Sequence, residues 1–180
     1  MAQRTAQAVG ADRCSINLWR EGHLAPVMFQ FADGHADPDL WAKFKAMGPY
    51  TMEEVPAHAE AIRTRQPVTI SDAAADPLIP AYWVETFGVR LALVVPLVHQ
   101  NEVIGTLNLD QAAGPYTWRQ EQIDLAMTIA GQAALAVENA RLYRQATERA
   151  EKLAALGALT RASESLEATE VSVLNPSSSR

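Results

Sequence analysis

Hydrophobic and polar positions alternate early in the chain with the period of a half-buried strand. Arg13-Cys14-Ser15-Ile16-Asn17-Leu18-Trp19-Arg20 follows that rule, Glu21-Gly22 supplies a turn, and residues 23–32 return, so the pair predicts a hairpin. Pro26 has no N–H to donate, which places the second strand at a sheet edge or delays its start. The period then changes. Asp37-Pro38 reads as an N-cap with proline at the first helical position, and Leu40, Trp41, Phe44 and Met47 fall at helical spacing. Val55-Pro56 opens another helix, with Ala57, Ala61 and Ile62 on one stripe. Residues 66–72 hold a short strand that exits into a polar loop, and residues 76–88 read as one or two helical turns closed by glycine.

Two strong strands follow. Residues 90–98 are apolar throughout, as in a strand covered on both faces, and residues 99–101 turn the chain into residues 102–110. There Val103, Gly105, Leu107 and Leu109 face one way, and Ile104, Thr106, Asn108 and Asp110 the other. The pattern predicts five antiparallel strands with helical material inserted between the second and the fourth, an α+β layer arrangement.

From Thr117 the pattern is helical. Thr117 and Gln120 have capping-box spacing, and no proline follows until Pro176. Ile123, Met127, Ala130, Ala134 and Val137 form one seam, expected to pack on the sheet. Leu135, Leu142, Leu153 and Leu156 form a second heptad line that continues past the first, interrupted by Arg149 and Thr160. A helix that outruns its own domain must bury that line elsewhere, most simply on a copy of itself. Residues 1–10 read as the end of a helix whose beginning is missing, residues 144–170 as a coiled-coil-like connecting helix, and residues 171–180 as a disordered tail. The chain reads as a piece of a larger protein.

Composition narrows the chemistry. The 180 residues are 48% hydrophobic and 20% charged, with a formal charge of -6. No apolar run approaches a membrane span, no signal peptide is visible, and the acidic balance argues against nucleic-acid binding. The single cysteine, Cys14, excludes an intrachain disulfide and a multi-thiolate zinc site, so a reduced, cytoplasmic setting is the default. An isolated strand cysteine is usually a small buried hydrophobe. His23, His35, His58 and His99 form no i,i+4 ligand pair, so no metal site is expected. No glycine-rich phosphate loop is present. Asp72, Asp76, Glu102 and Asp110 lie on loops or strand ends and are read as solvated or capping, and no catalytic constellation emerges.

Several segments together resemble a known family. Gly10-Ala11-Asp12 entering a hairpin, Gly88-Val89-Arg90, Val94-Val95-Pro96-Leu97, Val103–Leu109 as a strand, and residues 129–143 as a closing helix are similar to GAF domains, in that order. The resemblance covers about residues 8–143, with the domain itself set at 11–143. It implies an antiparallel sheet of five or six strands, terminal helices on one face, and a ligand cavity under the inserted helices on the other. It also implies a sensory module of a bacterial signalling protein, such as a sensor kinase or a cyclase or phosphodiesterase, reporting through a paired helix to an output domain outside this chain. Residues 154–160 superficially resemble the run before a sensor kinase's phosphoacceptor, but no histidine follows His99. The family's cyclic-nucleotide signature is not matched, since Leu109-Asp110 follows Asn108 and Tyr116 stands where phenylalanine would. One cysteine is too few for the reductase branch, and Cys14 lies outside the insert where bilins attach.

Within that frame the candidate pocket consists of rings over a polar floor. Phe29 and Phe31 share a strand face, while Tyr82, Trp83 and Phe87, with Trp41 and Phe44, come from the insert that should cover it. Ser15, Asn17, Thr106 and Asn108 would supply polar contacts from the floor, and Asp72 is a further candidate. A filled aromatic core is the competing reading of the same residues. No cofactor is predicted beyond an unidentified small-molecule ligand. The expected partners are a second copy through the C-terminal helix and the output domain, with neither nucleic acid nor membrane. A ligand-free dimerisation spacer is the first alternative, and a small-molecule enzyme on the same fold the second.

Overall fold

The hairpin forms as the alternation predicts. β1 (Arg13–Arg20) and β2 (His23–Phe31) are joined at Glu21 and Gly22, whose φ angles of 50° and 85° are those of a two-residue turn matched to strand twist. The computed structural model describes residues 1–112 and 117–174, with side-chain surroundings as far as Leu159. Tyr116 and Pro176 therefore lie outside the described residues. The remaining elements are α1 (Ala2–Val9), α2 (Pro38–Met47), α3 (Pro56–Thr64), β3 (Val68–Ile70), α4 (Ala81–Phe87), β4 (Leu91–His99), β5 (Glu102–Gln111) and α5 (Gln120–Leu174). Asp37 caps α2 by accepting from the Leu40 N–H at 2.8 Å, and Gly88 closes α4 at φ 63°.

The five strands pair antiparallel in the order β2-β1-β5-β4-β3. β2 is an edge strand, and its register slips opposite the Ile16/Asn17 step: Ile16 faces Met28, Asn17 faces Pro26, and Val27 is the extra residue. Proline thus sits where a missing N–H costs least.

Strand alternation sorts the two faces. Cys14, Ile16 and Leu18 of β1 lie on one face with Leu107 and Leu109 of β5 and with Leu91, Leu93, Val95 and Leu97 of β4. All are buried, together with Ala2, Ala6 and Val9 of α1 and Ala126, Ala130, Ala133 and Ala134 of α5. Fully burying a leucine contributes about 1.5–3 kcal/mol, so this apolar layer anchors the fold. α1 packs on β1 and β2. Gly105 lies opposite Leu18, where a Cβ would run into the backbone carbonyl oxygen of Asn17 and against the Leu18 Cα, so the β1–β5 approach depends on glycine.

Two expectations for α5 need correction. The capping contact comes from Gln122, whose side-chain oxygen accepts from the Arg119 N–H at 3.1 Å, so the helix starts two residues after the spacing of Thr117 and Gln120 predicts. Met127 is 42% exposed and does not face the sheet; Ala126 and Ala133 stand there with Ala130 and Ala134. Small side chains fill the buried seam, and the larger methionine is turned out.

The chain divides into two compact units, Met1–Ala136 and Val137–Arg180. The second continues α5, which is unbroken to Leu174 and so takes in residues 171–174 of the expected tail. Residues 175–180 lie outside the described residues. No helix among the described residues is long and apolar enough to cross a membrane.

Candidate functional site

The opposite face of the sheet carries the polar residues. Cross-strand pairing sets Phe29, Ser15, Asn108, Val94 and Val68 in one row, and Phe31, Arg13, Asp110, Ala92 and Ile70 in the next. Asn17 pairs with Thr106 one step further along. α3 packs on β3, β4 and β5, α2 packs on β2, and the segments between these elements close the rest of the roof.

Between floor and roof lies a cavity of about 40 Å3. Its floor is Ser15, Asn17, Asn108, Ala92 and Val94, and its roof includes Ala57 and His58 of α3, Leu78, Ile79 and Pro80 of the loop before α4, and Trp83 of α4. Leu24, Phe44, Tyr50, Val55 and Val89 close the sides. The lining is mostly apolar with a few convergent polar groups, the arrangement usual in small-molecule sites.

Asn17 is 2% exposed, and its Oδ1 is buried without a hydrogen-bond donor. The hydroxyl of its cross-strand neighbour Thr106 is engaged by His58, whose Nδ1 lies 2.8 Å from Thr106 Oγ1. Burial lowers the His58 imidazole from its ordinary 6.5 to about 4, so it is neutral near pH 7. Tyr50 donates its hydroxyl to the Phe44 carbonyl at 2.8 Å, and burial raises its pKa.

One buried ion pair borders the site. Arg13 Nε donates to Asp110 Oδ1 at 2.5 Å, Nη2 also closes on that carboxylate, and Nη1 donates to the Phe87 carbonyl at 2.6 Å. Asp110 is therefore not the solvated strand-end residue expected. It is buried on the polar face, where desolvation raises its carboxyl against the lowering influence of Arg13. Cys14 lies on the other face, fully buried, and desolvation pushes its thiol up to about 12, which keeps it protonated.

Of the ten candidate residues, the structure brings Ser15, Asn17, Trp83 and Asn108 to the cavity wall, with Thr106 one contact behind His58. The other five lie elsewhere. Phe87 is in the aromatic core, 6.1 Å from Phe44 and 5.0 Å from Trp83 between ring centres. Phe29 and Phe31 meet edge to face at 5.2 Å on the predicted sheet face, but on the edge strand, where they line a separate groove of about 270 Å3 with Trp41 and His35. Tyr82 stacks outside Trp83 and donates to the Glu54 carbonyl at 3.1 Å. Asp72 is exposed and accepts from the Ala74 N–H, a loop-capping contact. On α5, Leu135, Leu142, Leu153 and Leu156 are 50–69% exposed.

His58, Tyr50 and the Leu78–Pro80 loop were not among the candidates. For His58 a signal existed, since it directly follows Ala57 at the buried edge of the α3 stripe. Nothing local marked Tyr50, which reaches the site through a two-way backbone bridge with Leu24.

No curated protein sequence matches the chain. Solved structures share its fold. A GAF domain/HD domain protein from Geobacter sulfurreducens is 17% identical with a TM-score of 0.64, covering 78% of this chain and 89% of that one. A domain of a putative two-component sensor histidine kinase from Sinorhizobium meliloti 1021 is 17% identical with a TM-score of 0.58, covering 77% and 87%. The PixJ GAF domain of Thermosynechococcus elongatus in its blue-light-absorbing form is 19% identical with a TM-score of 0.59, covering 81% and 84%. The GAF domain family itself matches residues 1–137, the sheet and both layers described above, and the chain belongs to that family of sensory and regulatory binding modules.

Proposed function

We propose that this chain is a small-molecule-sensing and dimerisation module of a cytoplasmic, bacterial signal-transduction protein. A ligand in the cavity between the β1–β5 floor and the α3–α4 roof biases how α5 pairs with the α5 of a second copy, and the pairing is read by an output domain. The observation that carries this reading is the cavity itself, whose mostly apolar wall holds Ser15, Asn17 and Asn108 as convergent polar groups. The exposed leucines of α5 support the pairing. A ligand can shift such an equilibrium only through different affinities for the two helix arrangements. No catalytic role is proposed, since Cys14 is held as a thiol and Asp110 is neutralised by Arg13.

One observation favours the ligand-free spacer. Phe44 packs against Phe29, Trp41, Trp83 and Phe87 at 5.5–6.1 Å between ring centres, so much of the space under the roof is filled by aromatic core. Sedimentation velocity at micromolar concentration tests the relay: a dimer is expected, and a monomer overturns transmission through paired helices.

A further inference from the structure

A second recess lies apart from the cavity, where the end of β2, the segment after it, α1 and the start of α2 meet. It measures about 270 Å3, near the lower end of the roughly 300–1,000 Å3 usual for small-molecule sites, against about 40 Å3 for the cavity. Phe29 and Phe31 of β2 and Trp41 of α2 line it, and each is half-buried, so part of every one of these side chains stays accessible. The two phenylalanine rings stand at 87° to one another, with centres 5.2 Å apart. Trp41 already attracts one cation, since the Lys45 ammonium lies 5.1 Å from its ring centre.

The wall of this groove is acidic. Among the described residues that line it there is no Lys or Arg, and Asp37 carries the one carboxylate. Asp37 Oδ1 accepts from the Leu40 N–H at 2.8 Å, so the positive end of α2, which would otherwise draw an anion, is met from within the chain. His35 lies against Phe31, 3.8 Å between ring centres, and its Nδ1 is 2.6 Å from Asp33 Oδ1, so any charge on the imidazole is matched by that carboxylate. We infer that the groove binds a small organic cation, an alkylated ammonium whose methyl groups pack against Phe29, Phe31 and Trp41 while Asp37 supplies the counter-charge. A trimethylammonium head fits the space with no element moved. A bare metal ion does not suit it, because no group of three or more His, Cys, Asp or Glu side chains is placed to hold one among the described residues. An anion would meet Asp37 with no basic side chain beside it. Groove and cavity share no lining residue, so this inference stands apart from the sensing role proposed above.

Three probes with the same branched head separate the terms, each titrated into the full chain and followed by two-dimensional NMR. They are choline, dimethylbutanol with carbon in place of the nitrogen, and dimethylbutyrate as the anion. Choline is expected to saturate at millimolar concentration and to shift the Trp41 indole signal, with dimethylbutanol weaker by roughly fivefold or more. Dimethylbutyrate is expected not to saturate. Asp37→Asn keeps an N-cap side chain and removes the charge, so α2 stays capped while choline affinity should fall by about two- to fivefold. Dimethylbutanol or dimethylbutyrate binding as tightly as choline, or choline affinity unchanged in Asp37→Asn, overturns the cation class. No saturation by choline, or saturation that leaves the Trp41 signal in place, overturns the site itself.

Discussion

His58 Nδ1 and Thr106 Oγ1 lie 2.8 Å apart and clip the roof helix α3 to the floor strand β5, 48 residues away in sequence. Burial depresses the imidazole from 6.5 to about 4, so between those values the unfolded chain binds this proton more readily than the folded one. The stability from this group is therefore complete above about pH 6.5 and is lost as pH falls towards 4, by up to about 3 kcal/mol. Urea denaturation of the wild type and of His58→Asn, compared at pH 7 and pH 4.5, should show the wild type losing about 2–3 kcal/mol more than the variant. Parallel losses would place the proton-linked stability elsewhere.

Arg13 and Asp110 are 5% and 4% exposed and form an ion pair. Asp110→Asn leaves a buried guanidinium without its counter-charge and should cost about 3–5 kcal/mol. Replacing both, Arg13→Met with Asp110→Leu, removes the desolvation cost of each and should cost less than the single change. A double-mutant cycle by chemical denaturation measures the coupling; additive costs would show that the pair acts as two independent groups.

Gly105 has no room for a Cβ against the backbone of Asn17 and Leu18. Gly105→Ala must push β1 from β5 and should destabilise by about 1–3 kcal/mol. Unchanged stability would mean that the strands separate at no cost.

Leu135 and Leu142 are 52% and 50% exposed, one heptad apart on α5. Leu135→Glu with Leu142→Glu places like charges in a paired seam and should convert a dimer to a monomer with little change in the stability of the sheet domain. Sedimentation and a thermal melt read the two effects separately. A dimer that survives the double change locates its interface on another surface.

Much of this was legible because it is periodic. The alternation in β5 sorts Leu107 and Leu109 from Thr106, Asn108 and Asp110, and the structure keeps that division. Pro26 marked the edge strand, since a missing donor has few other places to go. What failed was set by distance or by size. Asp110 looked solvated because its partner is 97 residues earlier, and a strand end gives no sign of what covers it. Met127 fits the four-three spacing of the sheet seam, but spacing does not say which of two neighbouring positions is buried, and Ala126 takes the place instead. Phe29 and Phe31 were assigned to the correct face, but period two does not say which strand is the edge, where α2 rather than the cavity meets them. The cavity itself depends on a loop and a helix brought over the sheet, and no local pattern encodes that meeting.

A small molecule held in the cavity would travel with the protein through purification. A native mass spectrum of the protein purified from its own host tests it most directly. The expected result is a species heavier than the bare chain by the mass of one small molecule per copy. The bare mass alone would contradict it.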